Sequence, residues 1–291
     1  MKPGEKSGLT RCFLVSDLHG RVNRYQKLFS SIRSERPQVV FMGGDLLPHR
    51  WSTTVADVDF PVDDILCSVR GLRETLGDEA PRILLILGND DERESEGRFI
   101  AGAEDGLWEY VHQREARVGI HHVVGYSCVP PTPFLLKDWE RYDVGRYLDP
   151  GCVSPEEGYR TVPFDAEDVR TRTIAADLDA LVPVEDIENT VILAHSPPYK
   201  TNLDRAALDG QSVDHAPLDV HVGSIAVRRL IEDRQPLLSL HGHIHESARI
   251  TGSWQDRIGR THCFTGAHDG PELALVRFDL ENLEAATREL I

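Results

Sequence analysis

Short apolar runs rich in β-branched residues recur along the chain: CFLVS (12–16), VVFMG (39–43), ILLIL (83–87), HHVVGY (121–126), TVILA (190–194), PLLSL (236–240) and ALVRF (274–278). Runs this short, bounded by Gly, Pro or Asp, predict buried strands rather than helices. Between them the apolar period changes. Val22, Tyr25, Phe29 and Ile32 share one face of a helix that has to end before Pro37. Ile174, Leu178 and Leu181 do the same in the acidic stretch after Asp165. Ser224 is placed to cap a helix over IAVRRLIEDRQ, which Pro236 stops. Strand then helix then strand, repeated, predicts an α/β fold with helices outside the sheet.

Two stretches break this rhythm, at about 129–163 and 196–221. Both are rich in Pro, Gly, Asp and aromatic residues and show no period, so they are expected to be long loops or small insertions in a single domain spanning 1–291. There is no internal repeat or low-complexity tract.

Composition narrows the function. With 291 residues, 40% of them hydrophobic and 27% charged, the chain is an ordinary globular protein that can bury a full core. Its 48 acidic residues against 32 basic ones give a net charge of −16, which repels DNA, RNA and anionic lipid. Binding to a nucleic-acid backbone is therefore not expected. No apolar run approaches the roughly 18 residues of a membrane helix. The opening MKPGEKSGLTRCFLVSD lacks the apolar core of a signal peptide, so the expected location is cytoplasmic. Five scattered cysteines, never spaced as CxxC, read as reduced thiols.

The informative feature lies at the ends of the strands. CFLVS runs into Asp17-Leu18-His19, VVFMGG into Asp45, ILLILG into Asn89, TVILA into His195, and PLLSLHG into His243-Ile244-His245. The carboxyl ends of strands in an open α/β sheet share one edge, which is where ligands bind. A lone DxH, a lone HxH, or an Asp after Gly-Gly is commonplace. Five strands delivering seven metal-capable side chains to one crest are not. Imidazole nitrogen mixed with carboxylate and amide oxygen suits manganese, iron, zinc or nickel, whereas an all-oxygen site would suit magnesium or calcium. Seven donors exceed the needs of one such ion. They suit two ions about 3.5–4 Å apart, sharing one carboxylate and a bridging water that becomes hydroxide near neutral pH.

Taken together, Asp17-x-His19, Gly43-Gly44-Asp45, Gly88-Asn89-Asp90, His195 and Gly242-His243-x-His245 resemble the five-block signature of the calcineurin-like metallophosphoesterases, in that family's order, from about residue 12 to 265. The resemblance implies a four-layer α/β/β/α sandwich, two β-sheets flanked by helices, with two divalent transition-metal ions at the strand ends, manganese favoured over iron, zinc or nickel. It implies that Asp17, His19 and His245 hold one ion, that Asn89, His195 and His243 hold the other, and that Asp45 bridges them. Asp45, Asn89 and His195 are then the catalytic residues. The function implied is a metal-dependent phosphoesterase acting on a small phosphoester through a hydroxide shared by the two ions.

One position departs from the commonest pattern. Many members read Gly-Asn-His, where the His contacts substrate phosphate and can protonate the leaving oxygen; here Asp90 stands in its place. Two nearby cations would hold Asp90 as an anion, a poor proton donor. Members with Cys or Arg at this position are phosphodiesterases, so the departure points to diesters. A phosphomonoesterase or protein phosphatase is the alternative, and a non-catalytic interaction module on the same fold is the second. Asp90, His221 and His49 are the candidates for substrate contact. Asp91, with Asp90, is a candidate for orienting a ligand imidazole, and the run Asp90-Asp91-Glu92 otherwise reads as a solvated acidic face. The cluster Phe134, Lys137, Trp139, Arg141 and Tyr142 has two readings: a grip on an organic phosphate ester, or anchors that pin the first insertion to the body of the domain.

Overall fold

In the computed structural model, which describes residues 9–48 and 61–291, the chain begins with three parallel strands, β1 (Arg11–Val15), β2 (Val39–Gly43) and β3 (Arg82–Ile86), extended by a short β4 (Glu109–Tyr110). It then builds a second sheet. β5 (Glu115–Val118) pairs antiparallel with β6 (His121–Tyr126), and β7 (Thr190–Ala194) lies parallel to β6. A small hairpin, β8 (Ser212–Val213) with β9 (Ala216–Pro217), stands apart. β10 (Leu238–His241), β11 (Gln255–Ile258) and β12 (Thr261–Thr265) complete the second sheet, in the order β11-β12-β10-β7-β6-β5. β13 (Ala274–Asp279) and β14 (Asn282–Leu290) return to the first sheet, in the order β14-β13-β1-β2-β3-β4.

Alternation along the strands explains the layers. Leu14 and Phe41 of the first sheet, and Val191, Leu193, Leu240 and Phe264 of the second, bury into one cluster between the sheets. Rings from opposite sheets meet there, Phe264 and Phe278 with centroids 5.7 Å apart. The intervening residues, Phe13, Val15, Val40 and Met42 on one side and Ile192 and Ala194 on the other, face the helices. α1 (Val22–Glu35), α2 (Val62–Leu76) and α3 (Glu96–Glu104) cover the first sheet through residues such as Tyr25, Ile32, Val69 and Phe99. α4 (Ala166–Thr171), α5 (Ile174–Leu181) and α6 (Ile225–Arg234) belong to the half of the chain that builds the second sheet, and a short α7 (Ser247–Thr251) follows β10. Two mixed sheets flanked by helices are the fold the resemblance implied.

The predicted helices form where the patterns placed them, and the Ser224 hydroxyl accepts the amide of Val227 as the expected cap. Gln235 ends α6 in the left-handed conformation just before Pro236. The seven predicted strands form with ends shifted by up to two residues. The first irregular stretch holds no helix or strand among its residues, only isolated bridges such as Val129 to Glu140 and Leu136 to Tyr159. The second carries the β8–β9 hairpin.

Candidate metal centre

β1, β2, β3, β7 and β10 end at the same crest, and the turn after each aims a polar side chain across to its neighbours. Asp17, His19, Asp45 and His243 all sit at positive φ, between 47° and 73°, a conformation that non-glycine residues adopt at a cost. Four strained residues at one crest are the backbone mark of a site held by its surroundings. Glycine makes the close approach possible. A Cβ on Gly44, itself at φ 100°, would come 2.6 Å from His195 Nδ1, and one on Gly88 would collide with the Asp45 carboxylate.

The seven donors converge. Asp17, His19, Asp45 and His245 each offer a ligand atom within 4.8 Å of the others, and so do Asp45, His195 and His243. Asp45 belongs to both groups. His19 Nε2 is 3.0 Å from His245 Nε2, which is 3.2 Å from Asp17 Oδ1. His195 Nε2 lies 3.2 Å from both Asp45 Oδ2 and Asn89 Oδ1. Its other nitrogen, Nδ1, donates to the carbonyl of Gly43 at 2.7 Å, which directs Nε2 toward the centre. The backbone amide of His243 donates to Asp17.

Electrostatics suit cations. Burial works against the Asp17 carboxylate, yet the hydrogen bond and charge of His245, with His195 and His19, hold it far below the usual range. Asp45, equally buried, is brought down to about 2 mainly by His195. Burial lowers His19 to about 4 and His243 to about 3, which keeps both imidazoles in the neutral form that ligates metal. His195 is raised to about 10, against its burial, by the Asp45 carboxylate. That proton balances buried charge that a divalent cation would balance equally well. Mixed N and O donors, the neutral imidazoles of His19 and His243, and two buried carboxylates fit first-row divalent ions.

Neighbouring residues lock the crest. The Asp91 carboxylate accepts the amides of Leu46 at 3.1 Å, Leu47 at 2.8 Å and Gly88 at 2.9 Å, tying the loop of Asp45 to the loop of Asn89. This corrects two expectations: Asp91 is fully buried rather than solvated, and it holds backbone rather than an imidazole, because three amides at the turn would otherwise go unsatisfied. Asp90 donates its amide to Asp45 at 2.8 Å and places its carboxylate 3.8 Å from His19 Nδ1. Burial and the charge of Asp45 push its own carboxyl up to about 8. Arg24, absent from the sequence argument, is buried beneath the crest and donates to the Asp17 carbonyl. His241 was missed too: its Nδ1 is 3.0 Å from the carbonyls of both Ala194 and Ser196, joining the end of β10 to the loop of His195. The imidazole in the HGHIH run was its only sequence signal.

His221 Nδ1 is held by the buried Asp204 at 2.8 Å, and the residue lines a cavity of about 550 Å³ that Asp45, Asp90, His243 and His245 also line. His49 falls outside the described residues. Of the two readings of the first insertion, the anchors win. Trp139 is fully buried, with Nε1 donating to the Asp91 carbonyl at 2.7 Å. Lys137 pairs with Glu140 at 2.6 Å inside the protein, and Arg141 is tied to Asp168 and Asp177. Only Phe134 of that cluster faces the cavity.

Comparison with known proteins agrees with this geometry. Residues 10–247 match the sequence profile of the calcineurin-like phosphoesterases. Over 80 residues the chain is 38% identical to an uncharacterized protein of Methanocaldococcus jannaschii, a match spanning 27% of this chain and only 31% of that relative. Two solved structures share the fold over 97% of this chain and 99% of theirs: TT1561 of Thermus thermophilus, at TM-score 0.57 and 16% identity, and a second at TM-score 0.59 and 14% identity. Donor set, strand-end placement and a profile match over most of the chain lead to one assignment: this chain belongs to the calcineurin-like phosphoesterase family.

Proposed function

We propose that the chain is a metal-dependent phosphodiesterase, one cytoplasmic domain over residues 1–291, acting on a small phosphoester. The observation that carries this reading is the convergence of seven N and O donors, from the ends of five strands, around the shared carboxylate of Asp45. Asp17, His19 and His245 would hold one ion, Asn89, His195 and His243 the other, with Asp45 between them; manganese is the favoured metal. Bound there, two divalent ions supply positive charge for the phosphoryl oxygens and activate water as nucleophile. The chain's own residues do the rest. The Gly43 carbonyl and Asp91 fix the imidazole and the turns, so the donors need no rearrangement. Asp90 serves as a close anionic neighbour rather than a proton donor.

Charge favours the diester. A monoester dianion brings a second negative charge beside Asp90, whereas a diester brings one. The test is kcat/KM under manganese for bis-p-nitrophenyl phosphate against p-nitrophenyl phosphate. The diester is expected to be the better substrate. A tenfold advantage for the monoester, about 1.4 kcal/mol, would promote the monoesterase or protein-phosphatase reading. A purely interacting module would turn over neither, and the presence of all seven donors argues against it.

A further inference from the structure

The cavity beside the metal centre is built by the two irregular stretches. Pro131 and Phe134 come from the first with Tyr147, while Leu208, Val213 and Leu218 come from the second. At Gly151 the two stretches come close, since a Cβ there would lie 3.2 Å from Val213 Cγ2. Phe134 and Tyr147 are 59% and 71% exposed, large apolar surface that a protein normally covers. A volume of about 550 Å³ suits a drug-sized organic group. Among the described residues its wall holds no lysine or arginine, although the chain has 32 of them. It does hold the carboxylates of Asp149, Asp219 and Glu246. Asp219 accepts the Tyr199 hydroxyl at 2.5 Å, and Glu246 accepts the Ala207 amide at 3.0 Å, so both carboxyl groups are held in place on the wall.

We infer that this cavity selects the ester arm of the substrate, and that the arm is bulky, apolar or aromatic, and free of anionic groups. The inference rests on the phosphoesterase reading and sharpens it. With the phosphoryl group at the metal crest, a large substituent can lie along Phe134, Tyr147 and Val213, which line the same cavity as Asp45 and His243. There, apolar contact is favourable, and a second anion would meet the carboxylates of Asp149 and Glu246 with no lysine or arginine among the described residues of the wall. A nucleoside polyphosphate or a sugar phosphate bearing further anionic groups is disfavoured on the same grounds.

Calorimetric titration of the manganese-loaded protein with non-hydrolysable phosphonates tests this without relying on turnover. Phenylphosphonate should bind at least tenfold more tightly than methylphosphonate, and 4-carboxyphenylphosphonate should lose that gain. Val213→Lys, a change on the exposed β8–β9 hairpin, should raise the affinity of 4-carboxyphenylphosphonate relative to phenylphosphonate at least fivefold. Equal affinity for the phenyl and methyl compounds, or tighter binding of the carboxylated one to the unaltered protein, would overturn the assignment of the cavity while leaving the metal centre intact. If methylphosphonate binds no better with manganese than without it, the metal-centre reading fails instead, and this inference falls with it.

Discussion

Asp45 is the residue on which the centre turns. It is shared by both groups of donors, 3.2 Å from His195, and accepts the Asp90 amide that shapes the next turn. Asp45→Ala should therefore disturb both ions together. Elemental analysis of protein purified without chelator should find up to two transition ions per chain in the parent and less than half that in the variant. Full metal content and activity in Asp45→Ala would refute the bridging role. Asp90 gives a sharper contrast. Its carboxyl is raised by burial and by Asp45, but divalent ions held by the neighbouring donors would reverse that bias and leave an anion. Asp90→Asn should then slow hydrolysis of an aryl ester with a good leaving group by less than tenfold, against a hundredfold or more for His195→Ala. Equal losses would make Asp90 a participant in proton transfer.

Single elements are held by unlike devices. α6 begins under two caps: Ser224 accepts the Val227 amide, while Asp143, from the first irregular stretch, accepts the amides of Ile225 and Ala226 and the Ser224 hydroxyl at 2.6 Å. A carboxylate at a helix N-terminus meets both free amides and the positive end of the dipole. Asp143→Ala should cost about 1–2 kcal/mol, seen as a melting temperature lower by a few degrees in calorimetry, together with faster proteolysis within 129–163. An unchanged melting temperature and digestion pattern would show that the carboxylate holds neither the helix nor the loop. β14 makes the opposite point. Its sequence, NLEAATREL, is rich in helix formers, yet it pairs antiparallel with β13 at the sheet edge, because Leu283 and its neighbours cover Phe278 and Val276. β12, THCFT, carries too short and mixed a pattern to read as a strand, and becomes one through parallel pairing with β10.

At the scale of the whole molecule the core contains titratable groups that limit acid stability. His112 is buried against Trp139, with ring centroids 5.0 Å apart, and its Nδ1 accepts the Ser127 amide at 3.0 Å. Burial and nearby arginines lower it to about 3. In the unfolded chain it returns to an ordinary value near 6.5, so below that pH the unfolded state binds a proton that the folded state refuses. The stability this neutral ring contributes is complete above about pH 6.5 and is lost progressively toward pH 3. Its share of the slope approaches one proton, about 1.4 kcal/mol per pH unit. Urea unfolding between pH 6.5 and 4.5 should show a shallower pH slope for His112→Gln than for the parent, whatever the absolute stability of the variant. An identical slope would place the acid sensitivity elsewhere.

The period of the apolar residues was enough to determine the central strands, since burial on both faces leaves an uninterrupted apolar run that no other structure explains, and the helices α1, α5 and α6, but not α2 or α3. The residues gathered at the candidate metal centre were equally legible, because they follow such runs closely and strand ends have a fixed polarity. Other features depended on contacts between residues far apart in the chain. Edge strands such as β14 take their form from a partner that local pattern does not name. Asp91 looks like surface until three amides from two loops surround it. The cavity wall unites Phe134 with Val213 and Leu218, some eighty residues apart, and the absence of lysine and arginine among the described residues of that wall is a property of the assembly. Side-chain type and strand order decide what chemistry can occur at the crest. What fits beside it is decided by how two patternless stretches fold over one another, because their apolar side chains find each other only in three dimensions.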